Sequence, residues 1–103
     1  MIVINKNEGP KIDYDLNGYR LTLDDEMTIR LDRYERDWPI HLDICRNRDG
    51  FLVMSTDTSL YYVAEIDIPA AQYEEAEGED GETVRTKLPL DTDNVTLTLW
   101  AVA

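Results

Sequence analysis

The feature that most constrains this chain is an alternation of apolar and polar side chains with a period of two. Ile12, Tyr14 and Leu16 alternate with Asp13 and Asp15, and Tyr19, Leu21 and Leu23 with Arg20 and Thr22. Met27, Ile29 and Leu31 alternate with Thr28 and Arg30, Ile40, Leu42 and Ile44 with His41 and Asp43, and Val95, Leu97 and Leu99 with Thr96 and Thr98. A strand sends successive side chains to opposite faces, so each run predicts a strand with one face buried. No stretch shows an apolar stripe at helical spacing. Pro69 to Glu77 comes nearest, with helix formers but no stripe.

The turn residues fit the same reading. Asn17-Gly18 between two alternating runs is a hairpin signal, because both residues accept positive φ. It sets Leu16 opposite Tyr19, Asp15 opposite Arg20 and Tyr14 opposite Leu21. Asp24-Asp25-Glu26 then returns the chain, with Leu23 near Met27 and Leu21 near Ile29, giving a three-stranded meander. Asn47 to Gly50 closes a hairpin between 38–46 and 51–56. Asp57-Thr58-Ser59 leads into a strand at 60–68, whose start is apolar on both faces and so predicts a central, doubly covered strand. Glu74 to Glu82 reads as a solvated loop, or as the tip of a long hairpin returning over 83–90. Pro89 marks an edge or an end there. A last strand runs from about Asn94 to Ala103. The expected fold is all-β: one domain over residues 1–103, an antiparallel sandwich or partly open barrel of about seven strands.

The chain has 103 residues, 43% of them apolar, which suffices for an ordinary core. The single cysteine, Cys45, excludes an intramolecular disulfide. No apolar run approaches the roughly 20 residues of a membrane span. The start, Met1 to Lys6, lacks the pattern of a signal peptide. The expected location is the cytoplasm. Charge is the most pronounced compositional feature: 22 acidic against 10 basic side chains, a net of −12. Residues 1–48 hold 10 acidic and 8 basic side chains, whereas residues 49–103 hold 12 acidic and only Arg85 and Lys87 as cations. Such a surface repels nucleic acid and anionic membranes and attracts basic proteins or cations. Solubility alone is the competing explanation.

Candidate chemistry is sparse. Asp13-x-Asp15-x-Asn17-Gly18 with Asp24 at position twelve matches much of an EF-hand calcium loop. Arg20 stands where an apolar residue belongs, the twelfth residue is not Glu, and no helices flank it, so the hairpin is the better reading. His41, Asp43 and Cys45 share one face of a strand. Residues four apart on a strand lie roughly 13 Å from each other, so His41 cannot activate Cys45 directly. His41 and Asp43 could share a metal, but a third ligand would have to come from elsewhere. One His and one Cys cannot assemble a zinc site of the common Cys/His kind. The expectation is a surface His41 and a Cys45 that packs as a small apolar group. Asp24-Asp25-Glu26 and Asp91 to Asn94 read as turns rather than catalytic carboxylates. No phosphate-binding glycine loop or nucleophile elbow is present. No catalytic constellation, cofactor or metal is therefore expected, and the chain is not expected to be an enzyme.

Recognition remains. Arg30 to Pro39 is dense in Arg, Tyr and Trp, types enriched at interface hot spots, which makes Tyr34 and Trp38 candidates. The carboxylates Glu74, Glu75, Glu77, Glu79, Asp80 and Glu82 are the more distinctive partner-facing set. Small, acidic, compact β-proteins occur among phages and mobile elements, including inhibitors that imitate nucleic acid, a likeness of type that transfers no residue. The expected function is non-catalytic binding of a basic, nucleic-acid-handling protein by charge mimicry. The alternative is a structural subunit of a phage particle or other assembly, or a homo-oligomer joined through sheet edges. The C-terminal strand, ending Trp100-Ala101-Val102-Ala103, is expected to be an open edge.

Overall fold

The structure, a computed structural model, describes residues 1–55 and 59–102. Asp57 and Thr58 of the expected turn, Thr56 before them and Ala103 lie outside the described residues. The fold is all-β, as the alternation predicts. Its strands are β1 (Ile2–Asn5), β2 (Tyr14–Asn17), β3 (Arg20–Leu23), β4 (Met27–Arg30), β5 (Ile40–Asn47), β6 (Leu52–Val53), β7 (Ser59–Ile68), β8 (Tyr73–Glu77), β9 (Thr83–Lys87) and β10 (Thr96–Leu99). One helical turn, α1 (Leu31–Tyr34), follows β4, and a 3-10 turn spans Thr92–Asn94. The strands form a five-stranded sheet in the order β1-β10-β7-β5-β6, a meander β2-β3-β4 and a separate hairpin β8-β9. Among the described residues only β1 and β10 run parallel; the other pairs are antiparallel. No helix among the described residues is long and apolar enough to cross a membrane.

The meander and the large sheet share one core. Leu21, Leu23 and Ile29 from the meander join Ile44, Val63, Ile66, Ile68, Leu97 and Leu99 in a single buried cluster. In the meander Leu21 faces Ile29 and Leu23 faces Met27, as the turn spacing predicts. The first hairpin differs by one residue at its turn. Leu16 faces Leu21, Tyr14 faces Leu23 and Asp15 faces Thr22, so the expected Asp15–Arg20 pair does not form. Gly18 alone takes positive φ (60°), and the shift seats Leu16 and Tyr14 against the fully buried Leu21 and Leu23. The move preserves side-chain parity, so the apolar face survives. At the next turn Asp24 and Asp25 both adopt positive φ (53° and 51°), which Asp tolerates better than most residues.

Strand β7 is central, as expected, but it is not covered on both faces: Tyr61 and Tyr62 are exposed. Its buried consecutive pair, Val63 and Ala64, has another origin. The register runs Ile44↔Ala64 and then Cys45↔Tyr62, leaving Val63 as an extra residue in a β-bulge. The bulge lets two neighbours enter the core that strict alternation would separate. The C-terminal strand is also not an open edge, because β10 lies between β1 and β7. The sheet ends instead at β1 and at the two-residue β6. Glu26 and Arg46 tie the meander to the β5–β6 end. Arg46 donates to Asp24 (2.7 Å) and to the Gly50 carbonyl (2.7 Å), while Glu26 accepts from the Leu52 amide (2.6 Å).

Ile66 is fully buried on the most extensively paired strand of the large sheet. Ile66→Ala is expected to lower unfolding free energy by about 2–5 kcal/mol. Urea denaturation followed by circular dichroism checks this, with a loss below 1 kcal/mol counting against the described core.

Candidate functional site

The acidic segment falls on the β8–β9 hairpin, partly in strand β8 and partly in the connecting turn. Tyr73 faces Lys87, Glu75 faces Arg85, and Glu77 faces Thr83 across the pair. Gly81 turns the chain with φ +76°, and the Gly78 amide donates to the Glu82 carbonyl (2.6 Å). Beyond half-buried Tyr73, every strand residue of this arm is exposed. The molecule measures 61 × 24 × 21 Å, with a radius of gyration of 16.9 Å against about 13 Å for a compact chain of this length.

The arm is held at its base. Lys87 bonds the buried carboxylate of Glu35, Tyr73 donates its hydroxyl to Asp37, and the Ala71 amide donates to the Arg36 carbonyl (2.7 Å). The Arg85 guanidinium lies over the Tyr73 ring at 3.8 Å. Both cations of the arm are thus engaged near its root. Among the described residues, none of Glu74, Glu75, Glu77, Glu79, Asp80 and Glu82 forms an ion pair. The two recognition candidates separate. Tyr34 is half-buried against the core, whereas Trp38 is 59% exposed and follows the segment 35–37 that grips the arm. Trp38 therefore adjoins the root of the arm along the chain, and Tyr34 serves packing.

A second constellation lies on the solvent face of the large sheet. Pairing of β5 with β7 sets His41 opposite Asp67 and Asp43 opposite Glu65. One imidazole nitrogen, Nδ1, meets Asp67 Oδ1 at 2.6 Å. The other, Nε2, meets Asp43 Oδ1 at 2.9 Å and Glu65 Oε1 at 3.4 Å. Trp100 Nε1 donates to the remaining Glu65 oxygen at 2.7 Å, and its indole stacks on Tyr62 with centroids 5.5 Å apart. His41 is a surface residue and Cys45 is buried, as expected. The third potential metal ligand missing from the sequence reading is Glu65: His41, Asp43 and Glu65 each offer an atom within 4.8 Å of the others. The hydrogen bond to Asp67 raises the His41 pKa above its ordinary value, Asp43 adds to the rise, and partial burial opposes it.

The chain matches no protein-family model, no curated protein and no solved structure.

A raised imidazole pKa means that folding favours protonated His41. Its contribution to stability is fully present below about 6.5 and is lost as pH rises through the higher folded value. In EDTA, the melting temperature of the wild type relative to His41→Gln is expected to be greatest near pH 5.5 and to shrink toward pH 9. Thermal melts across that range check the sign, and an advantage that grows with pH contradicts it.

Proposed function

We propose that the protein is a non-catalytic binding module that presents the β8–β9 arm to a basic, nucleic-acid-handling protein, its carboxylates standing in for backbone phosphates. The observation that carries this reading is the arm itself: six exposed carboxylates that form no ion pair among the described residues, on a hairpin anchored at its root. Unpaired exposed charge of one sign steers an oppositely charged partner and gives an association that weakens with salt. Trp38, beside that root, supplies an aromatic contact of the kind enriched in hot spots. The reading places the protein in the cytoplasm, and an inhibitor carried by a phage or mobile element is the kind of protein it describes.

The test is affinity capture from lysate of the source cell at low and moderate salt. It compares the wild type with a variant in which the five glutamates become Gln and Asp80 becomes Asn. The wild type is expected to hold a basic nucleic-acid-binding protein at low salt, to lose it to added DNA or RNA, and the variant not to capture it. Equal capture by the variant overturns the proposal.

One observation favours the second reading, a subunit of a larger assembly. Edge strand β1 exposes Ile2, Val3 and Ile4 and carries no charged side chain, whereas natural sheet edges are usually blunted by charge or proline. On this reading sedimentation velocity shows salt-insensitive self-association that Val3→Lys abolishes. A monomer at high concentration removes its homo-oligomeric form.

A further inference from the structure

The outer face of the β5–β7 ladder holds a donor set that the charge-mimicry reading does not use. We propose that His41, Asp43 and Glu65 form a binding site for one divalent transition-metal ion of the zinc class, with Asp67 and Trp100 as positioning residues.

Geometry carries the proposal. Zinc binds imidazole nitrogen and carboxylate oxygen at about 2.0–2.2 Å, so ligand atoms of a tetrahedral shell stand about 3.3–3.5 Å from one another. Nε2 lies 3.4 Å from Glu65 Oε1, within that spacing, and 2.9 Å from Asp43 Oδ1, a hydrogen-bond contact shorter than it. Seating an ion draws the Asp43 carboxylate back from Nε2 and displaces any proton held between them. All three donors stand on adjacent paired strands, a more rigid support than loops.

The surrounding contacts orient the donors. A histidine that binds metal through one nitrogen characteristically donates the other N–H to a carboxylate, which fixes ring orientation and raises basicity. Asp67 occupies that position at Nδ1. Trp100, outside the donor set and on a different strand end, holds the far oxygen of Glu65 and leaves Oε1 facing Nε2. Three carboxylates around one imidazole also leave excess negative charge, and no Lys or Arg among the described residues forms an ion pair with Asp43, Glu65 or Asp67. Donor chemistry selects the ion class: imidazole suits zinc, copper, nickel and cobalt, while calcium and magnesium prefer all-oxygen shells. The His41 side chain is 45% exposed, so the ion enters from solvent and water completes the shell.

The experiment is isothermal titration of the full-length protein with zinc chloride in a non-chelating buffer, with thermal melts of each variant confirming the fold. The expected result is one ion per chain in the micromolar range, unaffected by millimolar calcium or magnesium and retained when the carboxylates of the arm are neutralised. His41→Gln and Glu65→Gln are each expected to weaken binding at least tenfold, and Asp67→Asn by about 10- to 100-fold. Cobalt substitution is expected to give visible d–d absorption in the wild type and none in His41→Gln. Binding that is absent at millimolar zinc, survives His41→Gln, or disappears with the arm's carboxylates overturns the site. Because the arm-neutralised variant keeps the donor set, failure of charge mimicry and failure of the metal site are read separately.

Discussion

The antiparallel pairing of β5 with β7 is the interaction on which the rest of the structure depends. Its inner face places Ile40, Leu42 and Ile44 against Ala64, Ile66 and Ile68. Its outer face places His41 and Asp43 against Glu65 and Asp67. A slip of one residue would exchange the two faces, burying carboxylates and exposing the core, so hydrophobic burial fixes the polar cluster as firmly as it fixes the core. The bulge at Val63 adds to this. One extra residue keeps Val63 and Ala64 both inside and leaves Tyr62 exposed, stacked on the Trp100 ring whose nitrogen holds Glu65.

The arm rests on a different kind of support. A two-stranded hairpin is marginally stable in water unless something fixes its base. Here the fixing contacts come from residues 35–37, just past α1, and the central one pairs Lys87 with a Glu35 side chain only 3% exposed. Lys87 itself is about half exposed, but removing it leaves the buried Glu35 carboxylate without its cation, which costs more than an exposed pair contributes. The orientation of the arm is therefore tied to the folding of the helical turn that presents Glu35. The carboxylates of the exposed tip are hydrated, and those charges also discourage pairing of the exposed β8 and β9 edges with other chains.

Local features were legible in the sequence and non-local ones were not. The meander follows from turn chemistry and alternation over residues 12–31, and only its first turn is displaced, because Gly18 can take positive φ without Asn17 doing so. The second hairpin and the hairpin form of the acidic segment follow by the same logic, whereas β7 is central although the double coverage from which its centrality is expected is absent. Strand β1 is not legible in the sequence because Ile2-Val3-Ile4 does not alternate and its partner, Thr96 to Leu99, lies at the other end of the chain. The inferred openness of the C-terminal strand failed for the same reason. Within the candidate sites, the six carboxylates and Trp38 were legible as exposed groups, while Tyr34 went to packing. The approach of Glu65 to His41 and Asp43 was not legible, since it depends on a pairing 22 residues away in sequence whose register is broken by the bulge.

The two acidic features of this molecule differ physically in a way that separates their roles. The carboxylates of the arm point into solvent, where interactions decay over a Debye length of about 8–10 Å at ordinary ionic strength. Whatever they attract is attracted weakly, over a broad surface, and loses affinity as salt rises. The carboxylates beside His41 converge on its ring, Asp43 and Glu65 at Nε2 and Asp67 at Nδ1, at contact distances where interactions are far less sensitive to screening and far more sensitive to geometry. Net charge alone cannot distinguish these arrangements, because both contribute to the same −12. Their arrangement can: the arm spreads its charge along an exposed hairpin, and the β5–β7 ladder focuses its charge on a single point.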